Sequence, residues 1–380
     1  MIAETKNNTP VTVNIIPQGA NVVNVFVEKF TSSAKTAERR RRSAEKSAER
    51  AADAKRNPYE LWQIHKSMSQ RMALRMAEIG LKSRGERMFL CGNELTFAQC
   101  ADCGTVSIKS AHLCRDRLCP TCSWRLSIKR YAAMRQIMDI LSARRPELTY
   151  TLVTLTAENC TGNALSQRLE ALQKCWHYAM SQRWTRAEIV GWARSIECTY
   201  SDYMGGTMHP HYHVIVAAPH AGAAQKLVTE WLQQAAKHGI RAVENAQHVD
   251  AIQSPDVPGK SLAGAVCEVY KYAVKSDDLL GMPLSALRDL ADGLSGKRLI
   301  SFGGLIKAIA IEIKSDNLDN PDDDNDITLC KHCGSQRLDE ISLKWALESN
   351  KYIASVRRQA DAEKDIQRII DKAIEVREAE

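Results

Sequence analysis

The chain has 380 residues, and its 52 Lys and Arg against 45 Asp and Glu give a formal charge of +7. Hydrophobic residues make up 44% and charged residues 26%, a balance typical of a globular protein with two or three packed units. This composition excludes a wholly disordered or fibrous chain. No apolar run reaches the roughly 18 residues of a membrane span, so we expect no membrane partner.

The cysteines indicate where the protein works. The chain holds 12 of them, and its first 33 residues lack the basic start and clean apolar stretch of a secretory signal. A chain of this length does not need disulfides for stability. We therefore expect a cytoplasmic protein with reduced thiols, some of which are metal ligands.

Charge is segregated along the sequence. Residues 35–56 carry nine basic and four acidic residues, residues 109–135 carry seven basic residues and one acidic, and residues 315–326 carry six Asp and no base. Basic blocks beside a cysteine-rich segment favour a polyanion partner, because phosphate contacts supply most of the affinity for nucleic acid. For residues 35–56 two interpretations remain open: a solvated, partly helical tail, or a segment with weak DNA contacts.

These shifts divide the chain into five regions. They are a loosely ordered basic region at 1–57, a helical and Cys-rich module at 58–145, a mixed domain at 146–314, an acidic linker at 315–326, and a C-terminal region at 327–380. The last region contains a C-x-x-C pair and a predicted helix that includes Ile353 and Ile366. Oligomeric state is left open by the sequence.

The mixed domain alternates strand and helix patterns. Predicted strands cover 148–156, 192–201, 208–217 and 240–249, and helical stripes cover 165–180 and 227–235. The resulting order, β-α-β-β-α-β, predicts an α+β fold of the ferredoxin-like, RRM-like type: an antiparallel sheet with two helices on one face. A further helix is predicted at 261–275.

Two C-x-x-C pairs lie upstream of this domain. They are Cys100 with Cys103 and Cys119 with Cys122, separated by 15 residues. Four thiolates in two short turns predict one closed, tetrahedral structural zinc site. Cys91, His112 or Cys114 is an alternative for one of these ligands. A third pair, Cys330 and Cys333, is half a site: it either borrows ligands from Cys91, Cys114 or a partner chain, or binds nothing.

Three histidines alternate in the segment His209–Val214. On a strand, period two directs these side chains to the same face. His211 and His213 are therefore predicted to bind a divalent ion. A hairpin turn centred near Met204 would pair His211 with Glu197, which adds a carboxylate ligand. Two histidines and one carboxylate leave coordination positions open, as expected for Lewis acid chemistry.

A tyrosine-bearing helix follows. Glu268, Tyr272 and Lys275 are spaced i, i+4 and i+7, so they share one helix face. Tyrosine is a poor nucleophile at neutral pH because its ordinary pKa is near 10. It becomes useful when a cation lowers that pKa or a metal polarises the electrophile. Lys275 and the histidine-bound ion are candidates for these two effects, and Glu268 for a general base.

Together, the ordered motifs resemble the plasmid rolling-circle replication initiators, the single-tyrosine Rep proteins of the HUH endonuclease superfamily. The resemblance runs from about Ala73 to Ala310. Its motifs are Cys114-Arg115-x-Arg117-x-Cys119-Pro120-x-Cys122-x-Trp124-Arg125, Thr154-Leu155-Thr156, Glu197-Cys198-Thr199-Tyr200, His209-Pro210-His211-Tyr212-His213-Val214, and Glu268 through Lys275. One departure is Tyr212, since this position is usually bulky and hydrophobic.

The resemblance implies roles for matching residues. His211 and His213 correspond to the metal-binding HUH pair, with Mg²⁺ or Mn²⁺ as the ion, and Tyr272 to the nucleophile. Glu268 stands where this subgroup has a carboxylate in place of a second tyrosine. The implied reaction nicks one origin strand through a 5′-phosphotyrosine and leaves a 3′-OH primer, with a host helicase and DNA polymerase as partners.

Basic residues of the cysteine-rich module are expected to contact origin DNA, single-stranded or in a hairpin, mainly through phosphates. They are Arg115, Arg117, Arg125, Lys129 and Arg130, the last three predicted to be exposed. Three other functions remain in view. A non-catalytic zinc-dependent DNA-binding regulator would bind without nicking, and a transposase or relaxase would share the HUH chemistry. An iron oxygenase would normally use a different β fold.

Overall fold

The computed structural model describes residues 58–202, 205–253, 260–261, 266, 276–313 and 327–355. Within these ranges it is a mixed α+β protein with two separate sheets. No helix of this described part is long and apolar enough to cross a membrane. The predicted helix at 261–275 and the regions 1–57 and 315–326 lie largely or wholly outside the described residues.

The cysteine-rich region begins with helices α1 (Pro58–Glu78) and α2 (Lys82–Leu90). Strands β1 (Glu94–Cys100) and β2 (Val106–Ala111) form an antiparallel hairpin, and helix α3 (Pro120–Arg144) follows. Proline at the first position of α3 suits a helix start, because its fixed φ is already helical and that position needs no N–H donor.

The end of the described chain joins this hairpin. Strands β9 (Leu338–Ala346) and β10 (Lys351–Ala354) extend it into a four-stranded antiparallel sheet of order β10-β9-β1-β2. The prediction of a helix containing Ile353 is therefore wrong at that residue, which lies in β10. The C-terminal strands have tertiary partners that local spacing does not reveal. The remainder of the predicted tail helix lies outside the described residues.

The second sheet has six strands in the order β7-β6-β3-β5-β4-β8. They are β3 (Thr149–Thr156), β4 (Gly191–Ser201), β5 (Thr207–Ala218), β6 (His248–Gln253), β7 (Lys260–Ser261) and β8 (Ile300–Gly303). Neighbouring strands are antiparallel except β6 and β7, which are parallel. The chain order β3, helix, β4, β5, helix, β6 is the predicted one.

The last of these strands begins later than predicted. Residues 240–247 contain a short 3-10 turn at Glu244–Ala246 instead of a strand. The Gln247 side chain explains this, because its amide oxygen accepts a hydrogen bond from the Thr156 backbone N–H at 2.8 Å. The Gln247 side chain thus takes the place of the backbone carbonyl that a longer β6 would offer to the Thr156 N–H.

Helices cover both faces of this sheet. On one face, α4 (Leu165–Ser181) and α6 (Gly222–Lys237) bury the predicted apolar stripes, with Trp176 and Trp231 3% and 0% exposed. On the other face, α3 and α9 (Gly304–Glu312) pack over a separate apolar cluster. Only the first pair of helices was predicted to cover the sheet. The remaining described helices are α5 (Arg183–Glu188), α7 (Ser276–Gly281) and α8 (Leu284–Gly293).

The two faces follow the period of the strands. Val153, Val214 and Val216 point to the face of α4 and α6. Leu152, Ile215 and their neighbours point to the face of α3 and α9. Even-numbered residues of β3 and odd-numbered residues of β5 therefore share one face, which is also the face of His211 and His213.

Candidate metal centre

The central hairpin brings a carboxylate beside two histidines. Strands β4 and β5 pair in one continuous register from Gly191 with Ala217 to Ser201 with Thr207. In this register Glu197 lies opposite His211, which confirms the predicted pairing. On the other side, β3 places Thr154 opposite His213. The site is thus built on three rigid, hydrogen-bonded strands.

The ligand atoms converge on one point. His211 Nε2 and His213 Nε2 are 3.1 Å apart, and Glu197 Oε2 lies 2.9 Å from His213 Nε2 and 3.4 Å from His211 Nε2. One atom from each residue lies within 4.8 Å of the other two. All three side chains are largely buried, with His211 9% and His213 6% exposed.

The far side of each imidazole ring supports metal binding. His211 Nδ1 lies 3.2 Å from the carbonyl oxygen of His209, an atom that only accepts hydrogen bonds. Nδ1 of a neutral His211 therefore carries the proton, and its Nε2 lone pair points into the site. His213 Nδ1 has a similar oxygen neighbour, the Thr154 hydroxyl at 3.2 Å. A cation between the Nε2 lone pairs would convert their close approach into shared coordination.

Electrostatics keep the carboxylate charged. Burial by itself raises the pKa of Glu197, but hydrogen bonds and positive charge from His211 and His213 in their protonated form outweigh it and hold that pKa well below its ordinary value; a cation bound by the neutral rings would supply positive charge at the same place. An ionised carboxylate with two imidazoles is a hard, partly open ligand set suited to a divalent cation. The described residues of this chain therefore fit the ion that the resemblance implies.

The third histidine faces a different partner. His209 Nδ1 is 2.8 Å from Asn159 Oδ1, and burial together with the charge of His211 lowers the pKa of His209 to about 4. It does not belong to the converging set. Asn159 was not singled out in the sequence, although its amide also donates to Thr207 and so connects β3's end to β5's start.

Tyr212 points away from the site. Its side chain is fully buried on the opposite face, where its ring packs edge-on against Trp231 and Trp176 and lies under the Arg194 guanidinium. Burial raises its pKa to about 12. A tyrosine at this position therefore serves the core as the usual bulky apolar residue would, and it cannot reach the histidines.

The helix that bears the expected nucleophile is outside the described residues. This applies to Glu268, Tyr272 and Lys275. Val266 is described: it is helical, fully buried, and belongs to the apolar cluster on the histidine face of the sheet. Val266, two residues before Glu268 in the sequence, therefore lies on the face that carries His211 and His213.

The cysteines are grouped differently from the prediction. Cys119 and Cys122 converge with Cys91 and Cys114, whereas Cys100 and Cys103 converge with Cys330 and Cys333. The single site of Cys100, Cys103, Cys119 and Cys122 is thus replaced by two groups of four. The reason is the β1–β9 pairing, which brings the C-terminal C-x-x-C turn beside the first one.

The basic residues of the module have unequal environments. Arg115 is exposed, whereas Arg125 and Lys129 are half-buried. The guanidinium carbon of Arg125 lies 5.3 Å from the ring centroid of Trp62 and 5.4 Å from that of Trp124. Arg117 and Arg130 differ from the prediction that these side chains face DNA.

Arg117 is half-buried, and its Nη1 donates to the carbonyls of Leu294 and Lys297 at 2.6 and 2.7 Å. Arg130, predicted to be exposed, is 8% exposed and is one of the buried residues of α3. These two arginines are held by the fold, whereas Arg115 is open to solvent.

Fold and site together define an α+β protein with a sheet-borne centre of two histidines and one carboxylate, and with two tetracysteine groups. The comparisons with known proteins agree with this class. The Rep_1 family, described as replication protein, matches residues 105–353. The chain therefore belongs to the Rep_1 family, the plasmid Rep initiators that the ordered motifs indicated, and it has a role in replication.

Its relatives include proteins named "Protein rep". The one from Streptococcus pneumoniae is 31% identical over 281 residues, which cover 70% of this chain and 85% of the relative. The one from Lentilactobacillus hilgardii is 30% identical, and the match covers 71% of this chain and 87% of the relative. The one from Lactiplantibacillus plantarum is 28% identical, and the match covers 77% of this chain and 94% of the relative. No solved structure matches the chain.

Proposed function

We propose that this protein initiates plasmid rolling-circle replication by nicking one strand of the origin and later rejoining it. The observation that carries the proposal is the convergence of Glu197, His211 and His213 on three paired strands. Strand order β6-β3-β5-β4 is consistent with a ferredoxin-like core of the HUH type, since it places the first and third strands at the centre.

Mg²⁺ or Mn²⁺ would be held by His211, His213 and Glu197 and would supply Lewis acid stabilisation of charge on the scissile phosphate. The protein's own contribution is orientation. The His209 carbonyl and the Thr154 hydroxyl fix the two imidazole rings, and the ionised Glu197 balances positive charge in a largely buried site.

Tyr272 is the proposed nucleophile. Its hydroxyl oxygen attacks the phosphorus in line, a new phosphorus–oxygen bond forms to tyrosine, and the bond to the 3′ oxygen breaks. One phosphodiester is exchanged for another, so the cleaved strand ends in a free 3′-OH and the 5′ end remains on Tyr272. The buried Val266 supports this assignment because it lies on the histidine face shortly before that segment in the sequence.

Glu268 and Lys275 complete the proposed machinery. Lys275 would stabilise the phenolate of Tyr272, and Glu268 would activate a water, or a second attacking hydroxyl, to release the enzyme after one round. The free 3′-OH would prime a host polymerase, with a host helicase separating the strands. Cytoplasmic location follows from these partners as part of the proposal.

The cysteine-rich module is proposed to hold origin DNA. Arg115, Arg125 and Lys129 would contact backbone phosphates, and these contacts position the DNA without reading its sequence. Arg117 and Arg130 remain candidates only for support of this surface, because the fold occupies their side chains as described above. The strand to be cut must be single-stranded or extruded from a hairpin.

The test is formation of a covalent protein–DNA adduct. Single-stranded oligonucleotides that tile the replicon would be incubated with the protein and Mn²⁺, and adducts would be resolved by denaturing electrophoresis. We expect an adduct with the wild type and its loss in Tyr272→Phe, with Tyr270→Phe and Tyr212→Phe as matched tyrosine controls that retain it. An adduct in Tyr272→Phe that is lost in Tyr270→Phe would refute the assignment of the nucleophile.

The metal set is tested in the same assay. His213→Gln should abolish the adduct, whereas His209→Gln, which removes a ring bonded to Asn159, should leave most of it. Binding without any metal-dependent nicking would instead identify a zinc-dependent DNA-binding regulator. Adducts formed only on transposon-end or transfer-origin sequences would point to a transposase or relaxase of the same chemistry.

A further inference from the structure

Cys100, Cys103, Cys330 and Cys333 come from two chain segments that flank the whole histidine-bearing sheet. We infer that they bind a structural Zn²⁺ that holds the C-terminal strands on the N-terminal module, and that Cys91, Cys114, Cys119 and Cys122 bind a second Zn²⁺. The first of these sites is called the clasp below, and the second the inner site. This inference does not depend on the nicking activity.

The sulfur positions fit a metal-centred tetrahedron. Four thiolates about 2.3 Å from zinc lie about 3.8 Å from one another. In the clasp, Cys100 and Cys333 sulfurs are 3.5 Å apart, and so are those of Cys103 and Cys330. A disulfide would need about 2.05 Å. Both close contacts link one C-x-x-C pair to the other, as expected for ligands around a shared ion.

The two turns of the clasp have the same backbone structure. In each, the carbonyl of the first cysteine accepts from the glycine that follows the second: Gly104 to Cys100 at 2.9 Å, and Gly334 to Cys330 at 2.8 Å. These glycines have φ of 74° and 73°, a conformation that favours glycine. Such turns direct two sulfurs to one side, and here they face each other.

A second hydrogen bond repeats as well. The backbone N–H of Cys100 donates to the Thr105 carbonyl at 2.9 Å, and the N–H of Cys330 donates to the Ser335 carbonyl at 2.8 Å. The two C-x-x-C-G segments are thus equivalent halves of one site. Local spacing does not reveal this equivalence, because Cys103 and Cys330 are 227 positions apart in the sequence.

The clasp lies at the end of β9 that packs least: none of the residues Leu338–Ser342 is buried, whereas Leu343 and Trp345 further along the strand are buried in the core. Strand β9 pairs with β1 from Glu94 to Cys100, and the clasp lies at the end of this ladder. Beside it, the Asp102 carboxylate accepts from Arg337 at 2.7 Å and from the Ser335 hydroxyl. These contacts are one exposed ion pair and one exposed hydrogen bond, each of which contributes little to stability. A metal bonded to both segments would supply the stronger link.

The inner site has the same ligand set and a different environment. Its sulfurs lie 3.5 Å apart for Cys91 and Cys122 and 3.6 Å for Cys114 and Cys122. Three of its cysteines are buried, and the ammonium of the fully buried Lys66 donates to the Cys91 carbonyl at 2.9 Å. A cation here offsets the net negative charge of four thiolates around Zn²⁺.

The two sites should therefore differ in how readily they lose metal. Cys333 of the clasp is exposed, so a chelator reaches this site directly, whereas none of the four cysteines of the inner site is exposed. The inner site requires local opening before a chelator can reach it. We expect two phases of zinc release from the full-length protein, a fast phase of one ion and a slow phase of one ion.

The experiment measures zinc by native mass spectrometry and by elemental analysis. The wild type should carry two Zn²⁺ per chain, the double variant Cys330→Ser/Cys333→Ser one, and the matched control Cys160→Ala two. Release of zinc to 4-(2-pyridylazo)resorcinol should lose its fast phase in the double variant only. One zinc in the wild type, two in the double variant, or iron in place of zinc would overturn the inference.

Hydrogen exchange tests the holding role. In the double variant, amides of residues 338–346 should exchange at least tenfold faster, while those of residues 149–156 should be unchanged. Unchanged protection of residues 338–346 after loss of one zinc would show that the metal does not hold these strands. If the double variant fails to fold, the two-phase release from the wild type decides the stoichiometry, and exchange before and after the fast phase decides the role.

Discussion

Replacing Lys66 by methionine removes a buried cation while keeping the shape of its side chain. Lys66 is fully buried, and its ammonium donates three hydrogen bonds: to the Phe89 carbonyl at 2.6 Å, the Cys91 carbonyl at 2.9 Å and the Asn93 side chain at 2.6 Å. Each bond from a charged donor contributes roughly 1.5–3 kcal/mol, so the three amount to about 6 kcal/mol.

Burial of the charge opposes this gain. It lowers the pKa of Lys66 to about 8, against a smaller opposite effect of the nearby Cys91, Cys119 and Cys114 sulfurs. A shift of that size costs the ammonium form about 3 kcal/mol. The difference predicts that Lys66→Met lowers the free energy of unfolding by about 3 kcal/mol, because one buried and two partly buried acceptors lose their donor.

The measurement is urea unfolding of the metal-loaded protein at neutral pH, followed by tryptophan fluorescence. Lys82→Met is the matched control, since Lys82 is exposed at the start of α2 and its replacement should change stability by less than about 0.5 kcal/mol. A loss below about 1 kcal/mol for Lys66→Met would refute the reasoning, since the three bonds would then merely balance the burial of the charge.

Three further changes test other parts of the structure. Thr154→Val should weaken Mn²⁺ binding about 10–100-fold in a calorimetric titration without unfolding the sheet, because it removes the hydroxyl that orients one metal-facing imidazole; unchanged affinity would contradict this role. Gly304→Ala should destabilise the protein by about 3 kcal/mol or more in urea, since its φ is 57° and a Cβ would lie 2.1 Å from a backbone oxygen. Gly239→Ala has a similar φ of 68° and open space, so its cost should be limited to about 1 kcal/mol, and equal losses in the two variants would count against the steric argument. Arg125→Gln should weaken binding to all oligonucleotides alike and reduce the salt dependence of the affinity by about one phosphate contact. Lys237→Gln, on the other face of the sheet, should change neither the affinity nor its salt dependence. A loss of affinity that depends on the DNA sequence would contradict contact with the DNA backbone.

The histidine site could be predicted because its geometry is local. Alternation along one strand places His211 and His213 on one face, and a short hairpin fixes the register that brings Glu197 opposite His211. The second-layer partners were not predicted. Thr154 depends on the pairing of β3 with β5, and those strands are far apart in sequence.

The cysteine groups show the opposite case. Local spacing identified every C-x-x-C pair, and Cys91 and Cys114 were noted as substitutes. Which pairs meet depends on β1 pairing with β9, a contact between residues more than 200 positions apart, and nothing in the local pattern specifies it. For the same reason the local spacing around Ile353 predicts a helix where the structure has a strand.

The basic helix α3 was misjudged at one position. Its amphipathic pattern is weak, because one end lies in the cysteine-rich module and the other packs on the six-stranded sheet. Arg130 lies between these two ends and is buried, although arginine is usually exposed. The period of apolar residues in a sequence predicts one buried face of a helix, and it does not predict burial of a charged residue outside that face.

The sequence alone determined the ligand types, the order of strands and helices in the central domain, and the face on which the two histidines lie. These properties follow from the fixed periods of strands and helices and from short turns. The tertiary structure decided that helices cover both faces of the sheet, that the cysteines form two groups, and that the C-terminal strands complete the first sheet. These properties depend on contacts between distant segments, whose free energy is realised only when the whole chain packs together.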